Sequence, residues 1–134
     1  MTDQVTTISP VNGKVYVERP FADVDQITRT LERAGRMQRI WQDESLDRRR
    51  EIVGRAVDLL LERTDMLAEE ITWQMGRPLS QAGGEIRGFE ERARYMLQVA
   101  PKALADIAVQ DDGEFRKYIR KQPLGVIFVM APWN

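Results

Sequence analysis

The sequence contains no cysteine and no histidine. Without cysteine, these residues can form no disulfide and supply no thiol nucleophile. Without histidine, they lack the commonest general base and metal ligand at neutral pH. No apolar run reaches the roughly 18 residues that a membrane-spanning helix needs, and the first residues lack the basic and apolar regions of a signal peptide. We therefore expect a cytoplasmic protein whose chemistry needs groups beyond these residues.

The charges are also nearly balanced, with 20 basic against 21 acidic residues. A chain with so little net charge has no field that would favour nucleic acid or an anionic membrane, so neither is expected as a partner. The hydrophobic fraction of 43% and the charged fraction of 31% are typical of a folded globular protein rather than a disordered one.

The longest apolar run lies near the end of the sequence, at Val126-Ile127-Phe128-Val129-Met130, bounded by Gly125 and Pro132. This pattern predicts a strand that is buried on both faces, as in a parallel sheet. Each buried side chain of this size is worth roughly 1.5–3 kcal/mol, so leaving all five in water would forfeit on the order of 10 kcal/mol. Since no similar strand precedes it, we expect the sequence to belong to a larger protein.

The residues before this run predict two strands, four helices and a basic strand. Val5 to Ile8 and Lys14 to Glu18 flank Asn12-Gly13, which favours a hairpin. Apolar residues at helical spacing, together with capping and stop signals, then predict four amphipathic helices. These helices run from Asp23 to Trp41, from Ser45 to Arg63, from Thr64 to Gly76, and from Ser80 to Pro101, which ends or kinks the last one. Asp111-Asp112-Gly113 predicts a turn before a basic strand at residues 114–122.

Several conspicuous residues have ordinary structural explanations. Trp41 lies on an apolar helix stripe and is interpreted as a core residue. Arg48-Arg49-Arg50 and Glu69-Glu70 are interpreted as solvated helix faces. Gly83-Gly84-x-x-x-Gly88 resembles a phosphate-binding loop but follows no strand, so it is interpreted as a weak helix start.

Two motifs near the end resemble the aldehyde dehydrogenase superfamily. Arg120-Lys121-Gln122-Pro123-Leu124-Gly125-Val126 is similar to the family's basic approach to its first cofactor strand, and Ala131-Pro132-Trp133-Asn134 is similar to its Pro-Trp-Asn segment. Weaker matches are Ser9-Pro10-x-x-Gly13, Trp41 with Arg48 and Arg49, and Met75-Gly76-Arg77-Pro78-Leu79. Together these matches extend over nearly the whole chain from about Thr6.

The resemblance implies an α/β fold, specifically an incomplete part of the family's Rossmann-like domain. Residues 1–113 would form the N-terminal strands and the helical part of the cofactor-binding domain. Residues 114–124 would be a strand of the oligomerisation arm, and residues 125–134 the first buried strand of the cofactor sheet. A homo-oligomer is implied for the complete protein.

The same resemblance implies that an aldehyde is oxidised to a carboxylic acid through a cysteine thioester, with NAD or NADP as the cofactor. Asn134 matches the side-chain amide of the oxyanion hole. Met130, Ala131, Pro132 and Trp133 match positions that line the cofactor. Thr7 and Ile8 match positions where some members bind a monovalent cation.

Departures from the family pattern leave alternatives open. The catalytic cysteine and the deacylating glutamate must lie beyond Asn134, so the 134 residues alone are predicted to be inactive. Gln74 stands where many relatives have an acidic residue, which argues against the cation site. A CoA-acylating relative remains possible within the enzyme interpretation. The alternative class is a non-catalytic helical module that binds another protein by adding its apolar strand to the partner's sheet.

Overall fold

The computed structural model describes residues 4–111 and 113–131, of which Asp111 is described by its backbone alone. Four helices lie between two small antiparallel hairpins. The elements are β1 (Gln4–Ile8), β2 (Val15–Pro20), α1 (Val24–Asp43), α2 (Leu46–Leu61), α3 (Thr64–Met75), α4 (Leu79–Leu104), β3 (Ile107–Asp111) and β4 (Arg116–Ile119).

The first hairpin forms where the sequence predicts it. β1 and β2 pair antiparallel, with Thr7 opposite Val17 and a register shift between Thr7 and Ile8. Of the two predicted turn residues, only Gly13 takes a positive φ, at 70°. Asn12 acts instead through its side chain, whose Oδ1 accepts a hydrogen bond of 3.0 Å from the backbone N–H of Lys14.

Of the four capping or stop residues that the sequence predicts at helix ends, three have that role in the structure. Asp23 accepts a hydrogen bond from the N–H of Gln26, and Ser45 accepts one from the N–H of Arg48. Each satisfies a backbone donor that has no partner within its helix. α3 ends at Gly76, which adopts the left-handed conformation with φ of 76°. The predicted cap at Thr64 is wrong, because Thr64 lies inside the helix and its hydroxyl donates to the carbonyl of Leu61.

α4 continues through Pro101 to Leu104, three residues beyond the predicted end. A proline within a helix has no N–H to give to the carbonyl four residues earlier, which here belongs to Leu97. Arg50 of α2 fills this gap, since its Nε donates a hydrogen bond of 2.8 Å to the Leu97 carbonyl. The helix therefore tolerates Pro101 because a side chain from another helix replaces the missing donor.

The core is small and lies among α2, α3 and α4. Its buried apolar residues are Val57 of α2, Ala68 of α3, and Ala82 and Ile86 of α4. No residue of α1 is buried, and the predicted core residue Trp41 remains 39% exposed. α1 is amphipathic, as the sequence predicts, but none of its residues is buried against the described part of the chain.

The second hairpin contains a strand that the sequence did not predict. β3 pairs antiparallel with β4, with Ile107 opposite Ile119. The predicted turn began at Asp111, which instead ends β3. β4 is shorter than the predicted basic strand at residues 114–122. The guanidinium carbons of Arg116 and Arg120 lie over the ring of Tyr118 on β4, at 5.5 and 5.0 Å from its centroid.

The predicted apolar strand does not form within the described part of the chain. Residues 125–131 are irregular, and Phe128, Val129 and Met130 are 82%, 74% and 78% exposed. A doubly buried strand needs hydrogen-bonded neighbours on both edges, and none of the described strands pairs with this segment. Its role as the first strand of a cofactor sheet stays a prediction.

Candidate functional site

The predicted oxyanion and cofactor residues form one contiguous segment at residues 130–134. Met130 and Ala131 lie in the irregular segment and are exposed. Pro132, Trp133 and Asn134 lie outside the described residues. The assignment of these five residues therefore stays a prediction from the sequence.

The predicted cation residues, Thr7 and Ile8, lie at the register shift of β1. Across from them, a cleft of about 350 Å³ between β2 and α3 is lined by Tyr16, Val17, Arg19, Glu70 and Gln74. Within residues 4–111 and 113–131, no group of three or more acidic, histidine or cysteine side chains could hold a metal ion. The cation site at Thr7 and Ile8 stays a prediction from the sequence.

The hairpin turn is attached to the end of α3 through Ser9. This hydroxyl is 1% exposed and donates a hydrogen bond of 2.6 Å to the carbonyl of Trp73, 64 positions along the chain. The same oxygen accepts a bond of 3.2 Å from the N–H of Val11. Ser9 thus gives a hydrogen-bond donor to the end of α3 and an acceptor to its own turn, and these two bonds fix the hairpin against α3.

Close packing between Pro10 and Gly76 strengthens this attachment. A Cβ atom at Gly76 would lie 2.9 Å from Cγ of Pro10. The left-handed backbone of Gly76 also disfavours any other residue there. Glycine is therefore required at this position for two independent reasons.

Tyr16 makes the second link between the hairpin and α3. Its ring is parallel to that of Trp73, with centroids 6.0 Å apart. Its hydroxyl donates a bond of 3.0 Å to Oε1 of Glu70, and Nε2 of Gln74 donates to Oε2 at 2.6 Å. The hydrogen bond to the Glu70 carboxylate, with smaller effects from burial and nearby charge, raises the pKa of the Tyr16 phenol above its usual value.

An apolar cavity of about 300 Å³ opens between α2, α3 and α4. It is bordered by two carboxylates, Glu70 and Glu85, and one amide, Gln74. Glu85 forms an ion pair with Arg77. The remaining lining residues are apolar: Leu60, Leu67, Ile71, Met75, Ile86 and Phe89.

Sequence reasoning missed two of these structural roles. Glu70 was interpreted as part of a solvated acidic pair, whereas it accepts bonds from Tyr16 and Gln74. Arg50 was interpreted as part of a solvated basic face, whereas it supports α4. Tyr16 lies 54 positions from Glu70 and Leu97 lies 47 positions from Arg50, so no local pattern identifies these two contacts.

Comparison with known proteins identifies the family. The whole chain, residues 1–134, matches the aldehyde dehydrogenase family. It is 33% identical over 129 residues to the NADP⁺ succinate-semialdehyde dehydrogenase of Deinococcus radiodurans, covering 96% of this chain and 27% of the relative. It is 26% identical to the 3-sulfolactaldehyde dehydrogenase of Pseudomonas putida, covering 94% and 26% respectively.

The fold agrees with solved structures of the same kind. The salicylaldehyde dehydrogenase of Pseudomonas putida G7 superposes with a TM-score of 0.80 at 20% identity, covering 91% of this chain and 25% of that protein. The chain thus spans about a quarter of the length of the curated relatives it matches. With its α/β arrangement of four helices and short strands, the chain belongs to the aldehyde dehydrogenase family and corresponds to the N-terminal part of that fold.

Proposed function

We propose that residues 1–134 act as the N-terminal part of an NAD(P)-dependent aldehyde dehydrogenase. The enzyme would oxidise an aldehyde to a carboxylic acid through a cysteine thioester, with the catalytic cysteine and glutamate located after Asn134. The match of the whole chain to the family carries this proposal. The Pro132-Trp133-Asn134 motif, which lies within the matched residues, is consistent with it.

Asn134 is proposed to stabilise the oxyanion that develops when a thiolate attacks the aldehyde carbonyl. A neutral amide N–H placed at that oxygen stabilises negative charge that is absent from the ground state, and removing one such donor costs about 3 kcal/mol. Met130, Ala131, Pro132 and Trp133 are proposed to line the cofactor site. When bound, NAD(P)⁺ supplies the hydride acceptor.

The names of the relatives suggest a substrate class. Succinate semialdehyde carries a carboxylate and 3-sulfolactaldehyde a sulfonate, and enzymes for both are similar to this chain. We therefore propose a short aldehyde with an anionic substituent as the substrate. NADP is the favoured cofactor because the Deinococcus radiodurans relative is named as NADP⁺-dependent.

The remaining proposals concern assembly, ions and location. Residues 114–124 are proposed to contribute to a homo-oligomer, which is consistent with the exposure of β4. Thr7 and Ile8 are proposed to offer backbone oxygens to a monovalent cation. None of the described helices is long and apolar enough to cross a membrane, and the cytoplasm is the proposed location.

A chimera tests the proposed activity. Residues 1–134 replace the matched 129-residue region of the Deinococcus radiodurans enzyme, and NADPH formation is followed with succinate semialdehyde. The chimera should form NADPH, whereas the 134-residue chain alone should form none. A folded chimera without activity would contradict the proposal, as would activity of the chain alone.

The alternative function is a sheet-completing interaction module, favoured by the exposure of the apolar residues Phe128, Val129 and Met130. An extended apolar segment with unpaired backbone groups can add a strand to a partner's sheet. Solution behaviour bears on both proposals. An isolated chain that is monodisperse and binds little hydrophobic dye would contradict both the incomplete-segment proposal and a free apolar strand.

A further inference from the structure

The β3–β4 hairpin has its two ends joined beside the last turn of α4. Asp106 comes directly before β3, and Arg120 comes directly after β4. An ion pair with an N–O distance of 3.4 Å connects these two side chains across the base of the hairpin. The chain therefore leaves the hairpin close to the point at which it entered.

Lys121 attaches the departing chain to α4 itself. Its Nζ donates a hydrogen bond to the backbone carbonyl of Ala103, in the last turn of the helix. Carbonyls in a last helical turn have no N–H partner within the helix, and the partial negative charge at that end favours an ammonium group. Hydrogen bonds from a charged donor are also the stronger kind. The acceptor belongs to the part of α4 beyond Pro101, which Arg50 supports.

The link between Lys121 and the apolar segment is short and stiff. Three residues, 122–124, separate Lys121 from Gly125. Pro123 has a fixed φ, and the residue before a proline is restricted to extended backbone. Gly125 then takes a φ of 94°, a conformation that favours glycine. The direction in which residues 125–131 leave therefore depends on where Lys121 is held.

The residues that follow this link are those proposed for the chemistry. Residues 130–133 are proposed to line the cofactor, and Asn134 is proposed to donate to the oxyanion. They follow Gly125 in one uninterrupted run of sequence. A displacement of about 1 Å can lower an enzymatic rate about 10²-fold. A contact that fixes the start of this run therefore bears on the rate of turnover.

We propose that Lys121 is a positioning residue, whose hydrogen bond to Ala103 fixes the start of the segment that carries Asn134 and the cofactor-lining residues. The effect on turnover rests on the proposed function, whereas the anchoring of the segment to α4 does not. Lys121 acts as a donor to a backbone carbonyl. A residue with another donor of similar reach should therefore replace it, and a residue with an apolar stem should not.

Two substitutions in the active chimera test the effect on turnover. Lys121→Met keeps a long unbranched stem without a donor, and it should lower kcat for succinate semialdehyde about tenfold with KM within about threefold. Lys121→Arg retains N–H donors and should keep kcat within about threefold of the parent chimera. Lys102→Met should leave kcat unchanged. It is the matched control because Lys102 is an exposed lysine in the same last turn of α4.

Light scattering separates positioning from assembly, because residues 114–124 are also proposed to contribute to a homo-oligomer. All three variants should have the same mass as the parent chimera. Dissociation of Lys121→Met would assign its loss of kcat to assembly and overturn the inference. An equal loss of kcat in Lys121→Arg and Lys121→Met would overturn it as well.

A distance measurement tests the anchoring without turnover. The 134-residue chain has no cysteine, so spin labels attach only at Tyr95→Cys on α4 and at Leu124→Cys beyond Lys121. Both native side chains are exposed, at 61% and 90%. The distribution of distances between the labels, measured by pulsed electron paramagnetic resonance, should become about twofold broader with Lys121→Met because the segment is released. It should be narrow again with Lys121→Arg.

The two measurements distinguish this inference from the proposed function. An unchanged distance distribution with Lys121→Met would overturn the inference, as would an unchanged kcat for Lys121→Met in an active chimera. An inactive parent chimera would contradict only the proposed function, and the distance distribution in the chain would then decide whether Lys121 anchors the segment.

Discussion

Arg50 supplies the hydrogen bond that Pro101 cannot make. Its Nε lies 2.8 Å from the carbonyl oxygen of Leu97, the acceptor four residues before the proline. The contact joins α2 to α4 and allows α4 to continue to Leu104. A single side chain thus joins two helices and supplies the donor that Pro101 lacks.

A double-mutant cycle tests this relationship. Arg50→Ala should destabilise the chain by about 1–2 kcal/mol, because it leaves the Leu97 carbonyl without its donor. In a Pro101→Ala background the new N–H can donate to the same carbonyl, so Arg50→Ala should cost less there. Urea unfolding measures both values.

The control for this cycle is Arg48→Ala on the same helix, because the Arg48 side chain forms an ion pair with Glu51 and none with α4 among the described residues. Its effect should be the same with either residue at position 101. Equal costs of Arg50→Ala in the two backgrounds would show that Arg50 does not replace the missing donor.

Ser9→Ala should loosen the first hairpin from α3. The substitution removes a buried donor from the Trp73 carbonyl, and an unsatisfied group of this kind costs roughly 1–3 kcal/mol. Thr28→Ala is the comparison, since the Thr28 hydroxyl also donates to a helix carbonyl but is exposed. That change should stay within about 0.5 kcal/mol. Similar melting temperatures for the two variants would contradict the role given to Ser9.

Two glycine-to-alanine substitutions should change the stability of the chain in opposite directions. Gly76→Ala should destabilise by at least about 1–2 kcal/mol because of its left-handed backbone, with a further cost from the contact with Pro10. Gly35→Ala should stabilise by about 0.5–1 kcal/mol, because Gly35 lies inside α1 with open space where a Cβ would stand. Thermal unfolding of both variants checks the signs, and a neutral Gly76→Ala would refute the steric argument.

The Tyr16–Glu70 contact should depend on pH at the alkaline end. The pKa of the Tyr16 phenol is raised in the folded chain. The contact therefore contributes its full stability below the pKa of the unfolded chain, about 10, and this contribution is lost as the pH rises through the folded pKa. Ultraviolet titration of the phenolate, with Tyr16→Phe subtracted, should give a Tyr16 pKa above 10. Glu70→Gln should lower it, and a Tyr16 pKa unchanged by Glu70→Gln would contradict the assignment.

The features predicted correctly from the sequence are those that local chemistry determines. Asp23 and Ser45 cap helices through bonds to residues three positions later, and Gly76 ends α3 through its own backbone conformation. Each depends on a few adjacent residues. Such signals are present in the sequence before any tertiary contact forms.

The features that were missed depend on partners far along the chain. β3 was not predicted because its short apolar segment becomes a strand only by pairing with β4. The extension of α4 past Pro101 depends on Arg50. The apolar run at residues 125–130 was predicted as a strand from its composition, but a strand also requires neighbours, and the described part of the chain provides none.

The most direct test of the proposed chemistry is the turnover number of the active chimera with Asn134→Ala. If Asn134 donates to the developing oxyanion, kcat for succinate semialdehyde should fall about 10²–10³-fold, with KM changed only a few-fold, while Gln122→Ala should leave kcat unchanged. A kcat for Asn134→Ala within threefold of the parent chimera would contradict the account.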